Sequence, residues 1–165
     1  MSHSSSFSLD IADLKQTEKL GNFIGKFCNG GETIYLTGDL GMGKTTITQS
    51  IAKGMRIAKI VTSPTFLIAK EYLTKHGLLL LHADMYRATS IDDLTSVGIT
   101  DLIGQKDTVT VVEWPEKIDR LKNYPHVHFY LEVSEGRRHL SVKLHGGNKS
   151  NTHLYKRVRD EYFIY

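Results

Sequence analysis

Hydrophobic and polar positions change their period along the chain, and each change marks the start of another element. In Phe7–Ile11, apolar and polar residues alternate, which predicts an edge strand. The apolar residues that follow recur at helical spacing from Leu14 to Phe27, and Asp13 is a suitable cap for that helix. Asn29-Gly30-Gly31 then predicts the end of the helix.

Short apolar runs rich in β-branched residues predict the strands of a buried sheet. Pro64 interrupts the run 61–68, so a strand is expected only from Phe66 to Tyr72. Helices are predicted between the strands, which favours an α/β fold in three layers with a central, mostly parallel sheet. The predicted strands are Thr33–Thr37, Leu78–Asp84 and Thr108–Glu113, and the predicted helical segments are 45–54, 91–103 and 115–121.

The last part of the chain predicts added antiparallel strands and a terminal helix. The alternating runs at 126–133 and 139–144 predict a β-hairpin, and residues 145–150 resemble a linker. Apolar residues four positions apart from Leu154 to Tyr162 predict a short amphipathic helix. We therefore divide the chain into a main domain of residues 1–145 and a C-terminal extension.

Composition limits the class of protein. Forty percent apolar and twenty-four percent charged residues are typical of a soluble globular domain, and no apolar run reaches the length of a membrane span. The net charge of +3 does not favour DNA binding. A single cysteine and a polar start without a signal-like block favour the cytoplasm. The eight histidines lack metal-ligand spacing along the sequence, so we predict no zinc site.

The strongest motif is Gly38-Asp39-Leu40-Gly41-Met42-Gly43-Lys44-Thr45, which fits the phosphate-loop pattern G-x-x-x-x-G-K-[ST]. It lies between a predicted strand and a predicted helix, as such a loop must. Glycines let backbone N–H groups point at phosphate oxygens, and the lysine adds a mobile positive charge. The predicted nucleotide contacts are Asp39, Leu40, Gly41, Met42, Gly43, Lys44, Thr45 and Thr46.

Two carboxylates follow predicted strands, Asp84 and Glu113. A single acid at a strand end is more often a surface residue, but the phosphate loop favours a functional interpretation. Mg²⁺ bound with a nucleotide needs hard oxygen ligands, which the Thr45 hydroxyl and one of these acids can supply. Because ligands gather at the carboxyl ends of parallel strands, we expect the loop and both acids at one edge of the sheet.

The nucleotide is predicted to be ATP. Asn148-Lys149-Ser150-Asn151 lacks the final acid of the guanine-specific Asn-Lys-x-Asp motif and lies in the predicted tail. Two alternatives remain open on the same loop. A small-molecule or nucleotide kinase would need an acceptor pocket and an arginine-rich lid, and a nucleotide-sensing module would not need hydrolysis.

Four segments together resemble the bacterial TsaE (YjeE) family of tRNA threonylcarbamoyladenosine biosynthesis. They are Gly38 to Thr46, Ser63-Pro64-Thr65-Phe66 with Glu71-Tyr72, His82-Ala83-Asp84-Met85-Tyr86-Arg87, and Glu113-Trp114-Pro115-Glu116. The resemblance implies a P-loop ATPase, weakly active alone, that works with the TsaB–TsaD pair and resets this complex. TsaB–TsaD modifies the tRNA, so tRNA contact by this chain is expected to be indirect or weak.

The resemblance also assigns roles to residues. Thr45 and Glu113 match the Mg²⁺ ligands, and Asp84 matches a second acid near the metal or the attacking water. Thr65 lies in a switch-like Ser-Pro-Thr segment. Thr17 and the loop at Gly136-Arg137 match regions that border the base. Met42 departs from the family's usual alanine, which is tolerable if its side chain points away from the phosphates.

Overall fold

A computed structural model describes residues 5–162 of the protein. Its seven strands form one sheet in the order β1-β7-β6-β2-β5-β4-β3. The strands are β1 Ser6–Ile11, β2 Thr33–Thr37, β3 Ala69–Leu73, β4 Leu79–Asp84, β5 Thr108–Glu113, β6 His126–Ser134 and β7 Arg137–His145. The helices are α1 Leu14–Phe27, α2 Lys44–Gly54, α3 Ile91–Ser96, α4 Ile99–Leu102 and α5 Lys149–Glu161, with 3₁₀ turns at Pro115–Lys117 and Asp119–Asn123.

The centre of the sheet is parallel and its margins are antiparallel. Strand β2 pairs in parallel with β5 and β6, and β5 pairs in parallel with β4. The pairs β1–β7, β6–β7 and β3–β4 are antiparallel. Alternate residues of β2 face different cores: Ile34 and Leu36 join the cluster with α1, α2 and α5, whereas Tyr35 joins the cluster with α3 and α4. The predicted three-layer α/β class is confirmed.

The predicted start of β3 was wrong by three residues. Strand pairing begins at Ala69 rather than Phe66. A turn precedes it, in which the Leu67 N–H donates to the Pro64 carbonyl at 2.8 Å. Ile68 then takes a positive φ of 67°, which is unusual for a β-branched residue. The turn leaves Phe66 exposed beside the loop that carries Ser63 and Thr65.

Helix α5 packs on the same core as the sheet. Leu154 and Val158 are fully buried in the main cluster. The side chain of Asn151 accepts from the Thr33 N–H at 2.8 Å and donates to the Pro125 carbonyl at 2.8 Å, so it ties α5 to β2. The predicted helix is confirmed, but the predicted linker is shorter, because β7 extends to His145 and α5 already begins at Lys149. A domain division after residue 145 stays a prediction. Within residues 5–162, none of the helices has the length and apolar character needed to span a bilayer.

Helices α1 and α2 approach each other closely through glycines, which positions the start of α2. A Cβ on Gly25 would lie 2.0 Å from the Ile51 carbonyl oxygen, and one on Gly54 would lie 2.3 Å from the Asn22 carbonyl oxygen. Neither neighbour is a flexible side chain, so only glycine fits without a shift of backbone. The packing against α1 thereby fixes the position of α2, the helix that directly follows the phosphate loop.

A Gly25→Ala variant is expected to unfold at lower urea concentration than the wild type. Alanine improves helix propensity by up to about 1 kcal/mol, but forcing two helices apart costs roughly 1–3 kcal/mol or more. The matched control is Gly147→Ala, where a Cβ would meet no atom within 4 Å. An unchanged midpoint in Gly25→Ala would contradict the close approach of the two helices.

Candidate functional site

The phosphate-loop motif connects β2 to α2 and curls around open space. Gly41 and Gly43 have φ values of 80° and 102°, which side chains other than glycine rarely adopt. A Cβ at Gly41 would meet no atom within 4 Å, whereas one at Gly43 would lie 3.7 Å from the Thr17 methyl group. The loop is therefore supported on the α1 side by Thr17 and open on the other side.

The Lys44 ammonium group lies inside this loop. Its Nζ donates to the Gly38 carbonyl and, at 2.9 Å, to the Asp39 carbonyl. It also lies 3.9 Å from the centre of the Trp114 ring, a cation–π contact. Burial lowers the pKa of Lys44, and nearby carboxylates, with Glu113 first, oppose that shift. These contacts hold the positively charged Lys44 ammonium at the loop, where its hydrogen-bond partners are neutral carbonyls.

Glu113 is a buried carboxylate in contact with the first turn of α2. It ends β5 and is 2% exposed. Its Oε2 accepts from the Thr45 hydroxyl at 3.1 Å, and its Oε1 is 2.8 Å from His82 Nε2 and 3.4 Å from the Thr48 hydroxyl. The predicted proximity of Thr45 and Glu113 is therefore observed.

Asp84 ends the neighbouring strand β4 and is paired in register with Glu113. Its Oδ2 accepts from the Thr65 hydroxyl at 2.7 Å and from the Ser63 hydroxyl at 3.3 Å. Its Oδ1 accepts from the Tyr86 N–H at 2.9 Å. The Ser-Pro-Thr segment is thus bound to one of the two acids. Both predicted acids lie at one edge of the sheet because parallel strands end there together.

The loop and the acids enclose one cavity of about 350 Å³. Such a volume is in the usual range for a small-molecule site. The cavity brings together most of the residues that the sequence predicted to act on the nucleotide. Its lining is Leu40, Gly41, Gly43, Lys44, Thr45, Thr46, Ser63, Thr65, Asp84, Tyr86, Glu113 and Trp114.

Met42 does not line this cavity. It packs against the main core and borders a narrow crevice with Thr17 and Leu20. This orientation explains how the loop accepts a side chain larger than alanine. Asp39 also stays outside the lining, and its carbonyl contributes by holding Lys44.

Gly136 and Arg137 lie at the turn of the β6–β7 hairpin and do not line the cavity. Their assignment to the border of the base stays a prediction. The neighbouring Arg138 instead lines the crevice beside Thr17 and Met42. Its Nη1 is buried and has no hydrogen-bond partner among the described residues.

His82 contacts a predicted site residue but was not itself predicted, and neither were the lining residues Ser63, Tyr86 and Trp114. His82 is fully buried, and a ring nitrogen facing a carboxylate at 2.8 Å orients Glu113 by a hydrogen bond. A signal was available, since His82 and Asp84 are two residues apart on one strand and therefore share a face. The spacing along the chain gave no sign of the bond to Glu113, because that contact crosses between strands.

The chain resembles known proteins both in sequence and in fold. A family model described as "Threonylcarbamoyl adenosine biosynthesis protein TsaE" matches residues 11–140. One relative is a protein of Streptomyces coelicolor named tRNA threonylcarbamoyladenosine biosynthesis protein TsaE. It is 36% identical over 106 residues, and the alignment covers 62% of this chain and 70% of the relative. A protein of Treponema pallidum with the same name is 31% identical over 130 residues, 78% and 93% of the two chains. The crystal structure of Bacillus subtilis YdiB superposes with a TM-score of 0.73 at 22% identity over 96% and 97% of the chains, a likeness of fold.

Proposed function

Since this chain belongs to the TsaE family of tRNA threonylcarbamoyladenosine biosynthesis, we propose that it is an Mg²⁺-dependent ATPase of that pathway. One observation carries the proposal. Lys44 and two buried carboxylates, Asp84 and Glu113, line the same cavity at the carboxyl edge of a parallel sheet. This arrangement suits phosphoryl chemistry, which depends on positioning and charge stabilisation more than on covalent groups.

The residues present fit ATP and Mg²⁺. The loop is open at Gly41, and the Lys44 ammonium is the charge needed beside the β- and γ-phosphates. Thr45 and Glu113 would hold the metal through a hydroxyl and a carboxylate oxygen, which are ligands of the hard type that Mg²⁺ takes. When bound, Mg²⁺ would neutralise charge on the phosphate oxygens.

Asp84 is suited to orient the attacking water. One carboxylate oxygen faces Thr65 and Ser63, and these hydroxyls can exchange that bond for one to water or phosphate. In hydrolysis, the water oxygen bonds to the γ-phosphorus while the bond to the bridging oxygen breaks, and ADP leaves with that electron pair. The water proton passes through Asp84 to the released phosphate. His82 keeps Glu113 in place during this step.

The partner proposed for this ATPase is a TsaB–TsaD-type complex in the cytoplasm, with tRNA contacted indirectly or weakly. Exposed apolar side chains lie beside the cavity and support a protein partner there. Leu40 and Phe66 are each 81% exposed, and Arg87 lies 4.3 Å over the Phe66 ring. Contiguous exposed apolar patches mark docking surfaces, and we propose that a partner covers these side chains together.

The test is phosphate release from ATP by the full chain, with and without a purified TsaB–TsaD pair. We expect slow release alone, faster release with the pair, and none after Mg²⁺ is chelated. Co-purification with the pair should depend on ATP. Transfer of phosphate to an added small-molecule acceptor, with no release to water, would instead establish the kinase alternative. Absence of ATP binding would overturn the proposal.

A further inference from the structure

Three histidines converge on the sheet face opposite the main core, outside the phosphate-loop cavity. His126 and His128 point from the same face of β6, and His145 on β7 is paired in register with His126. One ring nitrogen from each lies within 4.8 Å of the others. The sequence prediction of no zinc site rested on spacing along the chain alone, whereas hairpin register brings together histidines that are far apart along it.

Hydrogen bonds behind two of the rings fix which nitrogen carries the proton. His126 Nδ1 lies 2.7 Å from the Tyr124 carbonyl, which can only accept, so the lone pair is on Nε2. His128 Nε2 lies 2.9 Å from the Thr37 hydroxyl. That hydroxyl donates its one proton to Glu116 at 2.7 Å, so it accepts from His128 and leaves a lone pair on Nδ1. The Tyr124 carbonyl, and the Thr37 hydroxyl held by the Glu116 carboxylate, therefore orient the two rings as the hydrogen-bond partners of metal-binding histidines do.

The third ring has a buried nitrogen that the protein itself does not satisfy. His145 Nε2 is buried and has no hydrogen-bond partner among the described residues. An imidazole nitrogen withdrawn from water without a partner is costly, and such atoms are rare in native proteins. The three rings border a cavity of about 300 Å³, also lined by Tyr35 and Tyr130.

Burial favours the neutral form of these rings, which is the form that binds metals. Burial lowers the pKa of His126 to about 4 and that of His128 to about 3, and it also lowers the pKa of His145. Lys143 faces His128 and His145 and contributes to the lowered pKa of each. The other charged groups of the cavity are Glu116, Asp119 and Lys122.

We propose that His126, His128 and His145 together bind one late first-row divalent cation of the Zn²⁺ type. Imidazole nitrogen suits these ions, whereas Mg²⁺ prefers oxygen, so the site is chemically distinct from the nucleotide site. Bonds of about 2.0–2.1 Å in a tetrahedron require nitrogens about 3.4 Å apart. The His126 and His145 rings stack at 4.6 Å and 15°, so they must rotate out of this stack to bind the ion. Water completes the coordination. The inference is independent of the proposed ATPase activity.

The experiment titrates Zn²⁺ into tag-free, metal-stripped full-length protein by calorimetry, in the presence of excess Mg²⁺. We expect one Zn²⁺ per chain, and binding weakened at least about tenfold in His145→Ala and in His128→Gln. His76→Gln is the matched control, since His76 is exposed in the β3–β4 turn, and it should bind as the wild type does. Circular dichroism checks that each variant is folded.

Substitution of Co²⁺ gives a second readout that a structural role alone would not produce. The visible absorption of a nitrogen-ligated tetrahedral ion should appear in the wild type and in Glu113→Gln, and should be absent in His145→Ala. Loss of the signal in Glu113→Gln with retention in the histidine variants would place the ion in the nucleotide site and overturn the inference. Equal Zn²⁺ affinity in wild type and folded His145→Ala, or no stoichiometric binding at all, would also overturn it.

Discussion

A Lys44→Ala variant is expected to lose tight binding of ATP. The Lys44 ammonium lies within the loop, over Trp114, and its bonds to the carbonyls of Gly38 and Asp39 keep it beside the space for phosphate. Hydrogen bonds from a charged donor contribute roughly 1.5–3 kcal/mol each. Removal of this group should therefore weaken ATP binding by a factor of about ten to several hundred. Calorimetric titration of Mg²⁺–ATP measures the change directly.

The control for this variant is Lys53→Ala. Lys53 lies on the same helix α2, is exposed and does not line the cavity. It carries the same charge, so it reports any effect of net charge alone. Because Lys44 itself is only 5% exposed, thermal unfolding must show that Lys44→Ala remains folded at the temperature of the titration. Wild-type affinity in a folded Lys44→Ala protein would reject the assignment of this cavity as the nucleotide site.

A Glu113→Gln variant is expected to retain much of its nucleotide binding and to lose hydrolysis. Glutamine keeps the size of the side chain but removes the negative charge that faces Thr45 and His82. A neutral amide is a poorer Mg²⁺ ligand than a carboxylate, and the loss of one preorganised electrostatic group typically costs about 10²–10³ in rate. Single-turnover hydrolysis with the protein in excess over ATP isolates this step from binding.

Glu18→Gln is the matched control for Glu113→Gln. Glu18 is exposed on α1, so this substitution removes the same charge, but from the surface. Its rate should equal that of the wild type. Undiminished hydrolysis in Glu113→Gln would mean that Glu113 does not hold the metal. The same assay on Asp84→Asn would then show whether the second acid has that role, since Asp84 is its register partner on β4.

The sequence determined those features that depend on residues close together along the chain. The phosphate loop is one run from Gly38 to Thr45, and its glycines allow the positive φ values that the loop requires. The cap at Asp13 is equally local, since its side chain accepts from the Gln16 N–H three residues away. The positions of Asp84 and Glu113 at one edge followed from a general rule of parallel sheets, which needs only the strand ends.

The tertiary structure alone decided which side chains meet across strands. Periodicity tells which face of a strand a residue occupies, but not which residue lies opposite, and a shift of one residue in register exchanges the faces. The bond of His82 to Glu113 and the meeting of His126 with His145 both depend on such registers. The same register places Arg138, rather than Arg137, beside Met42. The loop could be recognised from sequence because its geometry is built into one segment, whereas the histidine contacts arise only when the sheet assembles.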